Sequence, residues 1–397
     1  MEKVVLAYSG GLDTSFCAVY LSKVKGLEVH AALVNLGGFT NEEIEHTRKR
    51  ALVLGAASFE VIQEEESYYE NCLKYLIFGN VLKNNTYPLS VSSERVFQAA
   101  ATAKYAKKIG ANYLAHGSTG AGNDQVRFDS IFHILLPNTP IITPIRDLKL
   151  SRNEEIAFLQ EHGVEIDFQA SQYSINKGIW GTSIGGRETL TSHESLPESA
   201  YPTKATKDFS ERVTLGFEKG EIKSINGKKF QSSFKAIEYL QELAAPYGIG
   251  RDTHVGDTII GIKGRVSFEA AAPLILIKAH HLLEKHTLTK NQLLFKDQLS
   301  LQYANLLHDG QVLDPVMKDI ENFFESTQEK VSGEVEVHLF PNYFTLLGVR
   351  SKNDLMSSEF GSYGEMNLGW SAQDVKGFSK IYSNALSIYH KVHNDGK

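Results

Sequence analysis

The chain has 397 residues, of which 42% are hydrophobic and 22% charged, and 47 acidic residues against 41 basic ones give a formal net charge of −6. This composition is typical of a globular protein of two or three domains, and it excludes wholesale disorder, which requires low hydrophobicity and a large net charge. The mild acidity predicts no general attraction to nucleic acid or to an anionic membrane surface.

In the first part of the chain, short apolar runs alternate with helical patterns, as in βαβ units. We predict strands at residues 4–8, 29–36, 58–62 and 112–116, and helices at 15–24, 41–54, 67–83 and 93–109. A mostly parallel sheet covered on both faces is expected, with ligands at the carboxyl ends of its strands. Ser9, Asn35 and Gly117 would then lie on one rim.

Beyond about residue 165 the pattern changes to α+β. Residues 170–205, rich in Ser, Thr, Gly and Pro, suggest a long functional loop. We predict hairpins at 217–230 and 335–349, turning at Asn226-Gly227 and Pro341-Asn342, and helices at 151–163, 233–245, 270–286 and 290–307. The expected organisation is an α/β domain at 1–165, an α+β domain at 166–365 and a C-terminal segment at 366–397.

The C-terminal segment reads as one amphipathic helix over residues 371–393. Its apolar stripe consists of Val375, Phe378, Tyr382, Ala385, Leu386 and Tyr389. Two uses remain open: docking on its own domain, or exchange between subunits of an oligomer.

Cysteine content and hydropathy predict a cytoplasmic protein. Cys17 and Cys72 cannot form a disulfide framework, which favours a reducing compartment. The sequence shows neither the roughly 7–15-residue apolar core of a signal peptide nor the about 20 apolar residues of a membrane span.

The most informative motif follows the first predicted strand and opens a helix. It consists of Ala7, Tyr8, Ser9, Gly10, Gly11, Leu12, Asp13, Thr14 and Ser15. The two glycines let the backbone turn with its N–H groups uncovered, and the helix N-terminus adds unpaired donors and positive potential. A simple strand-to-helix turn would also use glycine, but the three hydroxyls and the strand–turn–helix context favour phosphate binding. The motif matches neither the Walker A pattern nor Gly-x-Gly-x-x-Gly.

The pattern Ser-Gly-Gly-x-Asp-x-Ser resembles the pyrophosphate loop of enzymes that cleave ATP to AMP and pyrophosphate while adenylating a substrate oxygen. Two further segments, His116–Phe128 (HGSTGAGNDQVRF) and Tyr173–Ser183 (YSINKGIWGTS), narrow the comparison. In this order and spacing, the three segments resemble the argininosuccinate synthase family, over nearly the whole chain. The resemblance implies a pyrophosphate-loop ATP-binding domain, a synthetase and multimerisation domain, a C-terminal oligomerisation helix and a homotetramer.

The resemblance also implies a reaction of arginine biosynthesis. In this family, the ureido oxygen of citrulline attacks the α-phosphate of ATP, supplied with Mg²⁺, and releases pyrophosphate. The amine of aspartate then displaces AMP. Positioning and stabilisation of phosphate charge must supply most of the rate, because a neutral ureido oxygen is a poor nucleophile.

The residues matching the family's ligand positions fall into three groups. ATP is assigned to Ala7–Ser15, Val34 and Gly117; aspartate to Thr119, Asn123 and Asp124; and citrulline to Tyr87, Ser92, Asn123, Arg127, Ser174 and Ser183. Asp13 is a candidate organiser of Mg²⁺ or pyrophosphate, Asp124 a candidate to orient the aspartate amine, and Arg127 a guanidinium suited to a carboxylate. We assign no residue as a resident metal ligand; His280, His281 and His286 are expected to be packed or surface histidines.

Three positions depart from the family pattern near the acceptor. Asn176, followed by Lys177 and Gly178, stands where the family has Ser-x-Asp-x-Asn with its acid. Gly256 replaces a glutamate that contacts citrulline, and Phe268 replaces a tyrosine. These changes remove polar groups that would face an α-ammonium, whose burial without a partner is costly.

Two acceptors therefore stay open. Ordinary citrulline requires Asp257 or Glu269 to be re-sited toward the ammonium, and this is the simpler hypothesis. The alternative is an Nα-acetyl or Nα-succinyl citrulline, which has no α-ammonium. The carboxylate that a succinyl group adds would meet Lys177.

Two other functions share the same loop. A tRNA-thiolating or amidating pyrophosphatase would need catalytic cysteines or a basic RNA-binding face. A nucleotide-sensing protein would keep the ATP loop and lack turnover.

Overall fold

A five-stranded parallel sheet organises the first part of the chain. The computed structural model describes residues 1–164, 173–357, 361, 363–365 and 369–394. The sheet strands are β1 (Lys3–Ala7), β2 (Glu28–Asn35), β3 (Ser58–Gln63), β4 (Tyr113–Ala115) and β5 (Ile141–Ile142). Their order is β3-β2-β1-β4-β5 and all pairs are parallel, which confirms the predicted α/β class.

Helices cover both faces of this sheet. They are α1 (Leu12–Val19), α2 (Asn41–Val53), α3 (Glu65–Tyr68), α4 (Lys74–Phe78), α5 (Ser90–Ile109), α6 (Asp124–Leu135), α7 (Pro144–Leu148) and α8 (Arg152–Glu161), with π-helical turns at Tyr20–Val24 and Tyr69–Leu73. Successive side chains of β1 point to opposite faces: Val4 and Leu6 belong to the core that includes Phe16 of α1, whereas Val5 belongs to the core that includes Val96 of α5. Burial on both faces explains the continuous apolar runs of β1 and β2.

The second part of the chain contains nine short strands and four long helices among the described residues. The strands are β6 (Ser174–Asn176), β7 (Thr182–Gly185), β8 (Glu211–Glu218), β9 (Glu221–Ile225), β10 (Lys228–Lys229), β11 (Arg251–Asp257), β12 (Lys263–Glu269), β13 (Gly333–Phe340) and β14 (Tyr343–Arg350). The helices are α9 (Ser233–Ala244), α10 (Ala271–Thr287), α11 (Lys290–His308) and α12 (Pro315–Thr327). The strands form two antiparallel sheets, β10-β9-β8-β13-β14 and β11-β12-β7-β6.

The predicted turn at Asn226-Gly227 is confirmed, but residues 217–230 do not form one hairpin around it. The long hairpin pairs β8 with β9 and turns at Lys219-Gly220, whereas Asn226-Gly227 makes the next turn, into the two-residue strand β10. Both turns have positive φ at their two central residues, the conformation that suits a tight hairpin. Asn-Gly is the stronger sequence signal for that conformation, and it directed the prediction to the second turn. The hairpin of β13 and β14, which turns at Pro341-Asn342, is confirmed.

Within the predicted loop at 170–205, the described residues 173–205 are not simply a loop. They contribute β6 and β7, which extend the sheet of β11 and β12 toward the site described below. Neither strand has a strong sequence pattern of its own. Both depend on the pairing of β7 with β12, a strand that was not predicted. Residues 165–172 and 366–368 lie outside the described part of the chain. The predicted domain boundaries at 165 and 365 fall within or beside these residues, so they remain predictions.

The C-terminal segment forms two helices, α13 (Ala372–Tyr382) and α14 (Asn384–Asn394), separated by Ser383, where one helix was predicted. A reciprocal capping box of Ser371 and Asp374 begins α13. Phe378, Tyr382 and Leu386 of the predicted stripe are 64%, 77% and 68% exposed. In the described residues, no helix has the length and apolar character needed to cross a membrane.

Candidate active site

A cavity of about 940 Å³ opens where β1, β2 and β4 end, and it extends to the sheet of β6, β7, β11 and β12. All the predicted site residues except Gly10 and Ser15 line this cavity. Side chains from the three sequence segments are therefore neighbours in space. Asn35, which was expected on the same rim, instead binds Gln63, Glu65 and the N–H of Gly37 through its side chain.

The loop after β1 requires glycine for conformation and for space. Gly10 has φ +77°, and a Cβ added there would lie 3.0 Å from the Thr47 side chain. Gly11 is the N-cap of α1 and provides no capping side chain, so the first-turn N–H groups remain for a ligand. The Ser9 hydroxyl accepts a hydrogen bond from the Gly11 N–H at 3.4 Å and lies 3.3 Å from the Thr14 hydroxyl. The result is a compact cradle of donors at the mouth of the cavity.

Gly117 brings the end of β4 close to this loop. A Cβ at Gly117 would lie 3.1 Å from the carbonyl carbon of Asp13, a backbone atom that cannot move independently of α1. A side chain at this position would therefore displace the N-terminus of α1.

Asp13 faces Glu155 of α8, a residue that no motif in the sequence indicated. Burial, followed by the neighbouring negative charge of Asp13, raises the pKa of Glu155 to about 8. Burial also raises the pKa of Asp13, against hydrogen bonding to Glu155 and the charge of Arg152. One Glu155 oxygen is buried and has no hydrogen-bond partner. Two carboxyl groups that hold a proton between them form a site where a cation would replace that proton.

Asp124, in the first turn of α6, lies between two guanidinium groups. Its Oδ2 accepts from Nε of Arg95 at 2.9 Å, and its Oδ1 accepts from Nη1 of Arg127 at 2.8 Å. Burial raises the pKa of Asp124, but the two arginines outweigh it and hold the pKa below its ordinary value. Asp124 is therefore ionised at neutral pH.

Arg127 forms hydrogen bonds with three other residues. Besides Asp124, it donates to the Ser92 hydroxyl at 3.0 Å and twice to the main-chain carbonyl of His308, at 2.9 and 2.8 Å. Its side chain is only 3% exposed. The guanidinium that was expected to bind a substrate carboxylate is thus engaged in fixing Asp124 against α11.

Arg95 is, with Glu155, a functional candidate that sequence reasoning missed. It binds Asp124, the side-chain oxygen of Gln98 at 2.9 Å, and the side-chain oxygen of Asn176. It therefore joins α5 to α6 and to β6 across the cavity. No local motif surrounds Arg95, and only the packing of α5 against α6 brings it to the site.

Three aromatic side chains pack together beside the cavity, and two of them, Tyr87 and His254, line it. The Tyr87 ring lies 5.3 Å from the His254 ring and 5.5 Å from the Phe268 ring, between centroids. The Tyr87 hydroxyl accepts from the Val91 N–H and lies 3.1 Å from the Ser90 hydroxyl. A Cβ added at Gly256 would lie 2.7 Å from His254 Nε2, so the imidazole occupies the space beside this glycine.

The carboxylates expected to replace the missing acid are engaged elsewhere. Asp257 pairs with Lys263 at 2.7 Å. Glu269 accepts from the N–H and the hydroxyl of Thr203, at 3.2 and 2.7 Å, and does not line the cavity. Lys177 lies 3.4 Å from Glu43, so it does not point an unpaired charge toward the acceptor.

The cavity combines a parallel sheet, a glycine loop at a helix N-terminus and an arginine–carboxylate cluster. This arrangement defines the class of α/β nucleotide-binding enzymes. The family model described as the arginosuccinate synthase N-terminal HUP domain matches residues 3–165, and that of the C-terminal domain matches residues 173–389.

Several curated proteins named argininosuccinate synthase are similar along their whole length. Those of Sulfolobus acidocaldarius and Methanocaldococcus jannaschii are each 35% identical, over 96% and 98% of both chains respectively. That of Xanthomonas campestris is 34% identical, over 98% of this chain and 99% of its own. The chain therefore belongs to the argininosuccinate synthase family, as its three segments indicated.

Proposed function

We propose that the protein condenses a citrulline-type ureido acceptor with aspartate at the expense of ATP, forming AMP and pyrophosphate through an adenylated acceptor. The observation that carries this proposal is the single cavity that joins the glycine loop, the Asn123–Arg127 segment, and Ser174 with Ser183. ATP, acceptor and aspartate can meet there without any rearrangement of the sheets.

The glycine loop would hold the triphosphate of ATP. The first-turn N–H groups of α1 and the hydroxyls of Ser9 and Thr14 are donors suited to phosphate oxygens. Mg²⁺ arrives with ATP, and the carboxylates of Asp13 and Glu155 would hold it where they now share a proton. The bound ion neutralises phosphate charge.

The first step forms a bond between the ureido oxygen and the α-phosphorus and breaks the bond to the β-phosphate oxygen, which leaves with pyrophosphate. In the second step the aspartate amine attacks the ureido carbon, the carbon–oxygen bond to AMP breaks, and the amine loses its proton. Fixed donors must supply most of the rate in the first step, because the ureido oxygen is uncharged.

Asp124 would orient the aspartate amine by accepting a hydrogen bond from it. A carboxylate held by two guanidinium groups, with its pKa lowered, is a poor proton acceptor. It is therefore suited to orientation rather than to proton transfer. Arg127 and Arg95 act through it as positioning residues.

A homotetramer is proposed from the C-terminal helices. Their apolar side chains lie open to solvent over two successive helices, which is unusual for an isolated chain. Burial against other copies would remove this surface from water.

The thiolating alternative receives no support from the cysteines. Cys17 and Cys72 are fully buried, and burial raises the pKa of both thiols, so neither presents a nucleophilic thiolate.

The decisive assay measures AMP and pyrophosphate from ATP with aspartate and ureido acceptors present, and then with each omitted. We expect equal amounts of AMP and pyrophosphate only when both co-substrates are present. Formation of ADP and phosphate, or no turnover with any ureido acceptor, would contradict the proposal. The second outcome would favour the nucleotide-sensing alternative.

A further inference from the structure

We infer that the acceptor is a citrulline whose α-nitrogen is acylated, so that it carries no α-ammonium. This inference rests on the proposed function and specifies its substrate. ATP and the carboxylates of both amino acids are anions. The amine of aspartate must be unprotonated to attack. The α-ammonium of free citrulline would be the one organic cation that the cavity has to hold.

The cavity offers that cation no uncommitted carboxylate among the described residues. Its lining carboxylates are Asp13, Glu155, Asp124 and Asp257. The first two lie together at the nucleotide loop, Asp124 lies between Arg95 and Arg127, and Asp257 pairs with Lys263. A buried ammonium without an anionic partner is strongly unfavourable.

The part of the cavity at Tyr87 and His254 instead presents neutral groups. Gly256 has no side chain, and Phe268 is fully buried against Tyr87 without lining the cavity. Burial, together with the nearby groups His308 and Lys83, lowers the pKa of His254 to about 4. The imidazole is therefore neutral and offers an ammonium no opposite charge.

An amide fits these surroundings. His254 lines the cavity, and its Nε2, beside Gly256, has no hydrogen-bond partner among the described residues. A neutral imidazole nitrogen can accept from an amide N–H or, in the other tautomer, donate to an acyl carbonyl. Acylation would thus supply the missing partner of this nitrogen and remove the charge that the cavity cannot pair.

Arg265 favours an acyl group that ends in a carboxylate. It lines the cavity on β12, and its Nη1 donates to the main-chain carbonyls of Glu188 and Thr191, at 3.2 and 2.6 Å. Its described contacts include no carboxylate. A dicarboxylic acyl group such as succinyl would provide one.

The competing location for an ammonium is Glu94. This carboxyl group is 4% exposed, lies behind Arg95 and faces Gly178, where an added Cβ would overlap its Oε1. Burial raises its pKa to about 8, against the charge of Arg95, and it does not line the cavity. The variant Glu94→Gln tests this location directly.

The experiment compares kcat/KM for citrulline, Nα-acetylcitrulline and Nα-succinylcitrulline at saturating ATP and aspartate. We expect at least one acyl form to exceed citrulline by about 100-fold or more, on the scale of an unpaired buried charge. Arg265→Gln should lower the value for the succinyl form about tenfold and leave the acetyl form nearly unchanged. Arg212→Gln, which removes an exposed arginine on β8, is the control.

A double variant designed to reverse the preference between acylated and free citrulline provides a second test, which does not depend on Arg265→Gln. His254→Ala with Gly256→Glu restores a carboxylate and removes the ring that it would strike, so it should shift preference toward citrulline at least tenfold. His254→Ala alone should lower activity with the acyl form without raising that with citrulline, and melting curves verify that both fold.

Each outcome has a distinct meaning. A citrulline kcat/KM equal to or above those of both acyl forms overturns the inference and leaves the proposed function intact. Loss of citrulline activity in Glu94→Gln would then identify the ammonium partner. If no acceptor releases pyrophosphate, the proposed function itself fails.

Discussion

Replacing Glu155 with Gln tests the shared-proton site beside the glycine loop. Glu155 is 1% exposed, and its pKa is raised to about 8 from an ordinary value of 4.5. The folded protein therefore keeps a proton that the unfolded chain releases above about pH 4.5. Because the folded state binds more protons between these two values, stability should fall as the pH rises through that window.

The size of this effect follows from the displacement of the pKa. A change from 4.5 to about 8 corresponds to at most about 5 kcal/mol of stability at about pH 8.5. We expect about 2–3 kcal/mol, since water and side chains relax around a newly formed charge. Gln keeps the volume and cannot ionise, so Glu155→Gln should be more stable than the native protein at about pH 8.5 and nearly equal to it at about pH 4.5.

Urea unfolding without nucleotide or metal, recorded across this pH range, measures the difference. Glu161→Gln, an exposed change at the end of the same helix, is the control and should follow the native protein. Added Mg²⁺ should stabilise the native protein at the higher pH more than it stabilises Glu155→Gln. Parallel pH dependence in the native protein and Glu155→Gln would refute the shared proton, and equal stabilisation by Mg²⁺ would refute the metal role.

Three further substitutions test the glycine loop, Asp124 and the C-terminal helices. Gly117→Ala should raise the KM for ATP about tenfold, because its Cβ would press on the backbone of Asp13 and shift α1; initial rates at varied ATP measure this. Asp124→Asn should lower kcat/KM for aspartate about 100-fold, because the amide cannot pair with both guanidinium groups; initial rates at varied aspartate measure it. Phe378→Asp with Leu386→Asp should reduce the mass measured by light scattering, because charges would replace the proposed contact between copies.

The first two of these changes have matched controls. Gly348→Ala places a methyl group in open space and should leave the KM for ATP unchanged. Asp319→Asn alters an exposed carboxylate on α12 and should leave aspartate kinetics unchanged. An unchanged KM for aspartate and kcat in Asp124→Asn would show that Asp124 does not meet this substrate. An unchanged mass in the double variant would remove the C-terminal helices from the interface.

The parallel sheet could be predicted because its signals are local. Each buried strand is a short apolar run, and the capping boxes at Thr40 and Ser151 mark where α2 and α8 begin. The glycine loop was visible for the same reason, since one stretch of nine residues contains its glycines and hydroxyls.

The contacts that decide electrostatics and specificity are not local. Arg95 reaches Asp124 from another helix, and Glu155 reaches Asp13 from a helix 140 residues later in the chain, so no spacing in the sequence reveals either pair. The strands β11 and β12 escaped prediction because their residues alternate only weakly, and their pairing with each other and with β7 stabilises them. The partners of Lys177, Asp257 and Glu269 could not be predicted for a related reason: each side chain pairs with a residue from another part of the structure or across a hairpin.

Isotope transfer is the most direct test of the proposed chemistry. The acceptor is labelled with oxygen-18 in its ureido group and incubated with ATP, Mg²⁺ and aspartate, and the AMP is isolated for mass spectrometry. Because the ureido oxygen bonds to the α-phosphorus and leaves with it, we expect each AMP formed to carry one labelled oxygen. Unlabelled AMP formed at the same rate would contradict an adenylated acceptor and, with it, the central claim about this cavity.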